Sequence, residues 1–402
     1  MTELAIDSLD TFFPRLMPAR QWDLQAAKYA QNALPSAPPL VGMQPTDSGI
    51  SYRALGATDD AGLPYLLPKL ANLLHLSLGE AWTLWFFSIL LLSYALGIYG
   101  MMRLLTSPMV KVFYLSHLLI VTVLTVMVGD VYALSACLAI AAVPFALRFF
   151  TNMTDDRRCR ASLAVLFGAG IIFGWAHVIR SHAATGLILF IITLLLFAMQ
   201  VSWLKRMILI ASLLFGFLVP QFYMKTVFDA RDAFLSAQVG YRSLARQHPF
   251  WHSIYCGLGF LSNDYGLAYK DEIAEKMVRQ VAPHAEFCSP EYETVLKLAV
   301  IDLIKEDPTF VVLTLLAKFG LILIYFCLFA NVGLFAAIRY PKPWQIELAF
   351  VLALGFNALF GLLVMPRFSY LLGFIAFAVL YSAVSLDDAL RQRAEKAVAS
   401  LQ

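Results

Sequence analysis

The sequence predicts an all-α polytopic membrane protein, and three observations carry that expectation. The 402 residues are 60% apolar and only 14% charged, with a mean hydropathy of +0.71, whereas a soluble domain carries about a quarter charged residues. Apolar stretches long enough to span a bilayer recur about nine times between residues 81 and 386. Lys and Arg crowd every second connection between them. A net charge of +3 adds little, because in such a chain the distribution of charge matters more than its sum. The five cysteines include no Cys-x-x-Cys pair, so no metal or redox motif is indicated and no cofactor is expected.

Residues 1–80 come first, and up to residue 70 they hold no apolar run of spanning length. They carry Asp7, Asp10, Asp23, Asp47, Asp59 and Asp60 among many prolines. An apolar approach from Leu66 to Leu78 leads into spans expected near 81–102, 110–128, 131–149, 161–179, 184–203, 207–227, 309–337, 346–365 and 368–386. These group into a six-helix module over 81–227 and a three-helix module over 309–386. A tail follows over 387–402.

One set of connections holds Arg103, Lys111, Arg148, Arg157, Arg158, Arg160, Lys205, Arg206, Arg339, Lys342, Arg391, Arg393 and Lys396. The other short connections hold only Arg180 and Arg367. The rule that cytoplasmic loops are rich in Lys and Arg puts the first set, and the tail, in the cytoplasm. Residues 1–80 and the hydrophilic interruption over 228–308 then lie outside together. The expected setting is a bacterial inner membrane with both segments in the periplasm. Export of an N-terminal segment of about eighty residues is most simply explained by a transmembrane helix preceding residue 1.

The interruption of about eighty residues must sit in water, and long polar loops in such proteins usually have a task. At its centre are His248, Trp251, His252 and Tyr255, expected to serve as a substrate loop or as interfacial anchors. His248 and His252 have metal-ligand spacing on a helix, but Pro249 between them argues against a regular helix and no third ligand is evident, so no metal is expected. Towards its end, Tyr292, Leu296, Ala299, Val300 and Leu303 have the spacing of a surface helix. Cys256 and Cys288 share the loop, and in an oxidising compartment two such thiols are expected to pair as a disulfide.

Four further groups fall on the outer side: Asp23 in Trp22–Leu34, Asp130 in the turn Gly129-Asp130-Val-Tyr132, Arg180 with His182, and Arg367. Acids can take a proton from a hydroxyl, and Arg or His can hold phosphate oxygens. Each has a plainer reading. Asp23 can be a helix-surface acid, Asp130 a helix cap, and Arg180 an interfacial snorkeller. Lys318, about ten residues past Pro308, lies inside an expected span, where a charge needs a cavity or a partner.

With one helix supplied before residue 1, this pattern resembles the GT-C class of membrane glycosyltransferases, which includes protein O-mannosyltransferases and the lipid A aminoarabinose transferase. Asp23 followed by Tyr29-Ala30 matches the Asp-x5-Tyr-Ala segment of the first outer loop. Tyr65-Leu-Leu-Pro68 and the run from Leu73 to Glu80 match the approach to the second helix. Asp130 matches the second acid, and Arg367-Phe368 the Arg-aromatic pair opening a late span. Leu24 replaces the usual acid after Asp23, and no C-terminal soluble domain follows. The resemblance implies an inverting sugar transfer from a polyprenyl-phosphate donor to a periplasmic glycan, lipid or protein acceptor. It implies Asp23 as the base, with Asp10 as rival and Asp130 assisting. Arg180, His182, Lys318 and Arg367 would meet the donor phosphate. An O-antigen polymerase or ligase, and a transporter or flippase of envelope lipids, stay open as alternatives. The lipid bilayer is a partner in every case, and nucleic acid in none.

Overall fold

A computed structural model describes residues 12–46, 49–56, 60–151, 156–239 and 249–400. The chain starts with α1 (Pro18–Ala33), then β1 (Val41–Thr46) and β2 (Gly49–Ala54), which form an antiparallel hairpin, then α2 (Gly62–Leu74). Pro18 opens α1, where its missing N–H and fixed φ cost nothing. The hairpin is a small exception to the all-helical expectation. Val41 and Met43 pack onto Ala30 of α1, and Gly42 between them is buried as well, so no alternation announced the strand.

The long apolar helices follow: α3 (Leu78–Leu104), α4 (Pro108–Val128), α5 (Ala133–Thr151) and α6 (Asp156–Ile179). Ser77 and Glu80 close a capping box at the start of α3, which fixes where that helix begins. Next come α7 (Thr185–Phe197) and α8 (Trp203–Val239), then α9 (Phe250–Leu258), α10 (Asp271–Val281) and α11 (Pro290–Glu306). The chain ends with α12 (Pro308–Arg339), α13 (Trp344–Leu363) and α14 (Phe368–Ala399). Among the described residues, eight helices are long and apolar enough to cross a membrane, so the chain is an α-helical multi-pass membrane protein. The remaining expected span is α7, whose 13 residues cover only about 20 Å. It is buried against its neighbours, so its apolar run reflects a protein environment more than a lipid one.

A central helix and one close pair do most of the organising. The centre is α14, buried from Leu371 to Ala389 and packed against α4, α5, α12 and α13. The closest pair is α6 with α8. A Cβ at Gly170 would lie 2.2 Å from the Leu213 carbonyl oxygen, and one at Gly216 would lie 2.2 Å from that of Phe167. Lipid tails supply no hydrophobic drive between helices, so such close backbone approach is how they bind one another.

The sequence predicts a span ending near 227, but α8 continues to Val239. Its 37 residues measure about 55 Å, well beyond a hydrocarbon core of about 30 Å. Val227, Arg231 and Leu235 keep a buried stripe along the extension, and Arg231 donates to the Leu55 carbonyl oxygen at 2.6 Å. The extension therefore props the N-terminal hairpin.

From residue 249 the interruption folds as α9, α10 and α11 around Tyr255, Leu258, Ala274, Val278, Tyr292, Leu296 and Val300. The surface helix expected from Tyr292 onwards is α11, and Pro249 stands just before α9 rather than inside it. The expected Cys256–Cys288 disulfide is not formed, and both cysteines are buried. Cys256 Sγ is turned towards His252 Nε2 (3.9 Å) and the Lys270 carbonyl oxygen (3.5 Å). Burial pushes its thiol up to about 12, which keeps it protonated and slow to oxidise. The apolar core supplies the cohesion that the bond was expected to provide.

Candidate functional site

The connections that share one end of the helices converge on a chain of alternating charges. Asp130 lies in the turn after α4, which stops at Gly129 with φ 57°. A side chain there would collide with Pro14, so the N-terminal segment closes directly onto the turn. Asp60 precedes α2, Arg180 follows α6, and Arg20 stands on α1. Arg20 Nη1 lies 2.9 Å from Asp130 Oδ1, and its Nη2 pairs with Asp60. Arg180 Nη1 lies 3.3 Å from Asp60 Oδ1. The Met17 backbone N–H donates to Asp130 Oδ2 at 3.2 Å. The order Asp130, Arg20, Asp60, Arg180 neutralises four buried or half-buried charges in sequence.

Burial pushes the Asp130 carboxyl above its usual range, with Arg20 and the Met17 N–H opposing. Burial alone would lower Arg20, but Asp60 and Asp130 outweigh it and hold its proton more firmly. Asp130 also borders a narrow apolar crevice walled by Trp85, Phe86, Leu90 and Leu134.

Asp23 sits one turn along α1 from Arg20, so the two share a face. It pairs with Arg53 of β2 and lines an open groove of about 530 Å³ with Ala19, Trp22, Gln44 and Arg53. Partial burial raises its carboxyl, while Arg53 and then Arg20 pull it back down. Asp23 is thus the acid of this end that faces an accessible volume.

Aromatic rings extend the charged chain. The Arg180 and Arg20 guanidiniums lie 4.4 and 5.2 Å from the centre of the Tyr132 ring. Tyr132 meets Tyr370 edge to face, and the Tyr370 hydroxyl is 2.8 Å from that of Tyr269 in the folded interruption. Arg367 stands over the Tyr269 ring at 4.6 Å. A continuous polar track therefore runs from α1 to the segment between α9 and α10.

Of the residues singled out from the sequence, the structure joins Asp130 and Arg180 through Arg20 and Asp60, and places Asp23 beside them. Arg367 reaches the far end of the track. His182, at φ 65°, packs its ring against His177 and Phe360 instead. Lys318 is fully buried and donates to the carbonyl oxygens of Val364 (3.0 Å) and Leu363 (3.5 Å), which terminate α13. Trp251, His252 and Tyr255 belong to the folded interruption: Tyr255 lies in its core, and the Trp251 backbone N–H donates to Glu293. Asp10 and His248 lie outside the described residues.

Sequence reasoning passed over Arg20, Tyr269 and Tyr370, and gave Asp60 no role. Arg20 carried a usable signal, since it stands three residues before Asp23. The tyrosines carried none, because a Tyr near a span end is usually an interfacial anchor. No protein-family model, curated protein or solved structure matches the chain.

Proposed function

We propose that the protein is an integral membrane glycosyltransferase of the GT-C kind. It moves a sugar from a polyprenyl-phosphate donor to an acceptor hydroxyl on the outer side of a bacterial inner membrane. The observation that carries this reading is Asp23, an acid with a raised pKa in an open groove, one helical turn from a guanidinium fixed by two further acids.

In this reading Asp23 takes the acceptor proton as its oxygen attacks the anomeric carbon. The bond from that carbon to the donor phosphate breaks, and the sugar inverts. Arg20 and Arg180 face the negative charge that grows on the leaving phosphate, where a planar fork of donors suits phosphate oxygens. Asp60 and Asp130 hold those forks in place, so little reorganisation accompanies the step.

The test is transfer by the purified chain in proteoliposomes from a synthetic polyprenyl-phosphate sugar to a mixture of envelope glycan, lipid and peptide acceptors. Asp23→Asn keeps the size but cannot accept a proton, and is expected to abolish transfer without lowering protein yield. Full activity of Asp23→Asn would overturn the assignment of the base. Movement of intact donor across the bilayer without sugar transfer would overturn the enzyme reading in favour of a flippase.

A further inference from the structure

His252 and Cys256 are four residues apart on α9, so the helix presents both on one face. That face looks onto Asp271, the first residue of α10. His252 Nε2 lies 3.2 Å from Asp271 Oδ1 and 3.9 Å from Cys256 Sγ, and the three donor atoms are all within 4.8 Å of one another. A tetrahedral zinc ion, with bonds of about 2.0–2.3 Å, separates its ligands by about 3.3–3.8 Å. The two pairs that involve Nε2 already stand near that spacing, and the Cys256–Asp271 pair lies within 4.8 Å.

A second observation points the same way. His252 Nδ1 is 2.9 Å from the Tyr292 hydroxyl of α11. In the arrangement seen, Nε2–H donates to the Asp271 carboxylate; on metal binding the ring proton moves to Nδ1, where the Tyr292 hydroxyl can accept it, and the Nε2 lone pair is released to the ion. Metal-bound histidines are usually oriented by such a partner on the other ring nitrogen. His252 and Cys256 are buried, while the Asp271 side chain is 76% exposed. An ion held there has protein on one side and solvent on the other.

We propose that His252, Cys256 and Asp271 form a site for a divalent transition-metal ion of the zinc class. The imidazole, thiolate and carboxylate set suits zinc and excludes Mg²⁺ and Ca²⁺, which prefer all-oxygen shells. Binding releases the thiol proton to solvent as the metal–sulfur bond forms, so affinity rises with pH. Solvent takes the fourth position. The ion clasps α9 to the start of α10, and through Tyr292 to α11. That stiffens the segment from which Tyr269 reaches the polar track.

The test uses the full chain purified in detergent, stripped with EDTA and titrated with Co²⁺, then Zn²⁺. The expected result is a single Co²⁺ per chain with a thiolate-to-cobalt charge-transfer band, bleached by Zn²⁺ and unaffected by excess Mg²⁺. Zn²⁺ is also expected to raise the thermal midpoint of the wild type. Cys256→Ser should lose the charge-transfer band. Asp271→Asn alters an exposed side chain, so it should fold normally and bind Zn²⁺ at least tenfold more weakly. Tyr292→Phe should weaken binding about 10–100-fold through the lost second contact. Absence of stoichiometric Co²⁺ binding overturns the proposal. So does an unchanged Zn²⁺ affinity in Asp271→Asn, a result that holds even if Cys256→Ser fails to fold.

Discussion

Replacing Arg20 by Met probes the charged chain most directly, because the structure identifies which acid is stranded. Asp60 keeps Arg180 at 3.3 Å. Asp130, with a side chain only 3% exposed, keeps only backbone donors from Met17 and Val131. Removing one partner of a buried pair costs about 3–5 kcal/mol, mostly the penalty of the charge left behind. Asp130→Asn should cost less, about 1–3 kcal/mol, because Arg20 retains Asp60 and the amide carries no charge. The double variant should therefore fall short of the sum of the two losses. The pH dependence has a definite sign. Burial already raises the Asp130 pKa in the folded state, and Arg20 is the largest force holding it down. Without Arg20 it rises further. A raised acid favours the folded state when protonated. That contribution is complete below the unfolded value of about 3.9 and is lost as pH rises through the folded value. The Arg20→Met deficit should be full at neutral pH and shrink on acidification. The assay is SDS-induced unfolding in mixed micelles at several pH values, followed by tryptophan fluorescence. Trp82, which donates to the Pro14 carbonyl oxygen at 2.8 Å beneath the cluster, is a suitable reporter. A deficit that does not change with pH, or strict additivity in the double variant, would refute this reasoning.

Arg53→Gln removes a positive charge that pulls the Asp23 carboxyl down, so the rising limb of the transfer-against-pH profile should move to higher pH; an acid shift would count against Asp23 as base. Lys318→Met should destabilise the fold by about 1.5–3 kcal/mol, because two terminal carbonyls of α13 lose a charged donor, while the KM for lipid donor stays unchanged. A raised donor KM at unchanged stability would return Lys318 to the phosphate site. Alkylation of the denatured, unreduced protein should label both Cys256 and Cys288 in mass spectrometry, and recovery of the disulfide-linked peptide pair would contradict the absence of that bond.

The membrane class was legible because it depends on composition and on runs of about twenty apolar residues, both of which survive without tertiary context. Ser77 with Glu80, and Pro at 108, 290 and 308, mark helix starts by signals that act within one turn, though the span boundaries expected from hydropathy did not use them. Helix ends were less readable. The stop of α8 depends on Val227, Arg231 and Leu235 meeting the hairpin, and nothing within the helix announces that contact. The length of α7 was overread for the opposite reason. Its apolarity looks like lipid exposure, but Phe190, Leu194 and Leu195 are buried by protein, and hydropathy cannot separate the two environments.

The site was half legible, and the missing half follows a rule. Asp130, Arg180 and Arg367 stood out because each is a charge at the edge of an apolar run, where its presence needs a reason, and Asp23 stood out only through its match to the Asp-x5-Tyr-Ala segment. Arg20 and Asp60 lie in a polar segment, where a charge needs none. Lys318 shows the converse. A charge deep in an apolar run suggested a ligand, yet the carbonyls of Leu363 and Val364 already satisfy it, and the negative end of a helix is a good place for a cation. Close by, Gly257 of α9 leaves no room for a side chain, since a Cβ there would lie 2.4 Å from the Leu363 oxygen. The end of α13, Lys318 and α9 therefore form one joint between the bundle and the folded interruption. A second joint passes through Tyr370 and Tyr269. With two joints on either side of the turn that holds Arg367, the interruption cannot shift without moving that arginine. Tyr269 and Arg367 are where the described part of the interruption meets the polar track, whereas Tyr255 is enclosed by its own core.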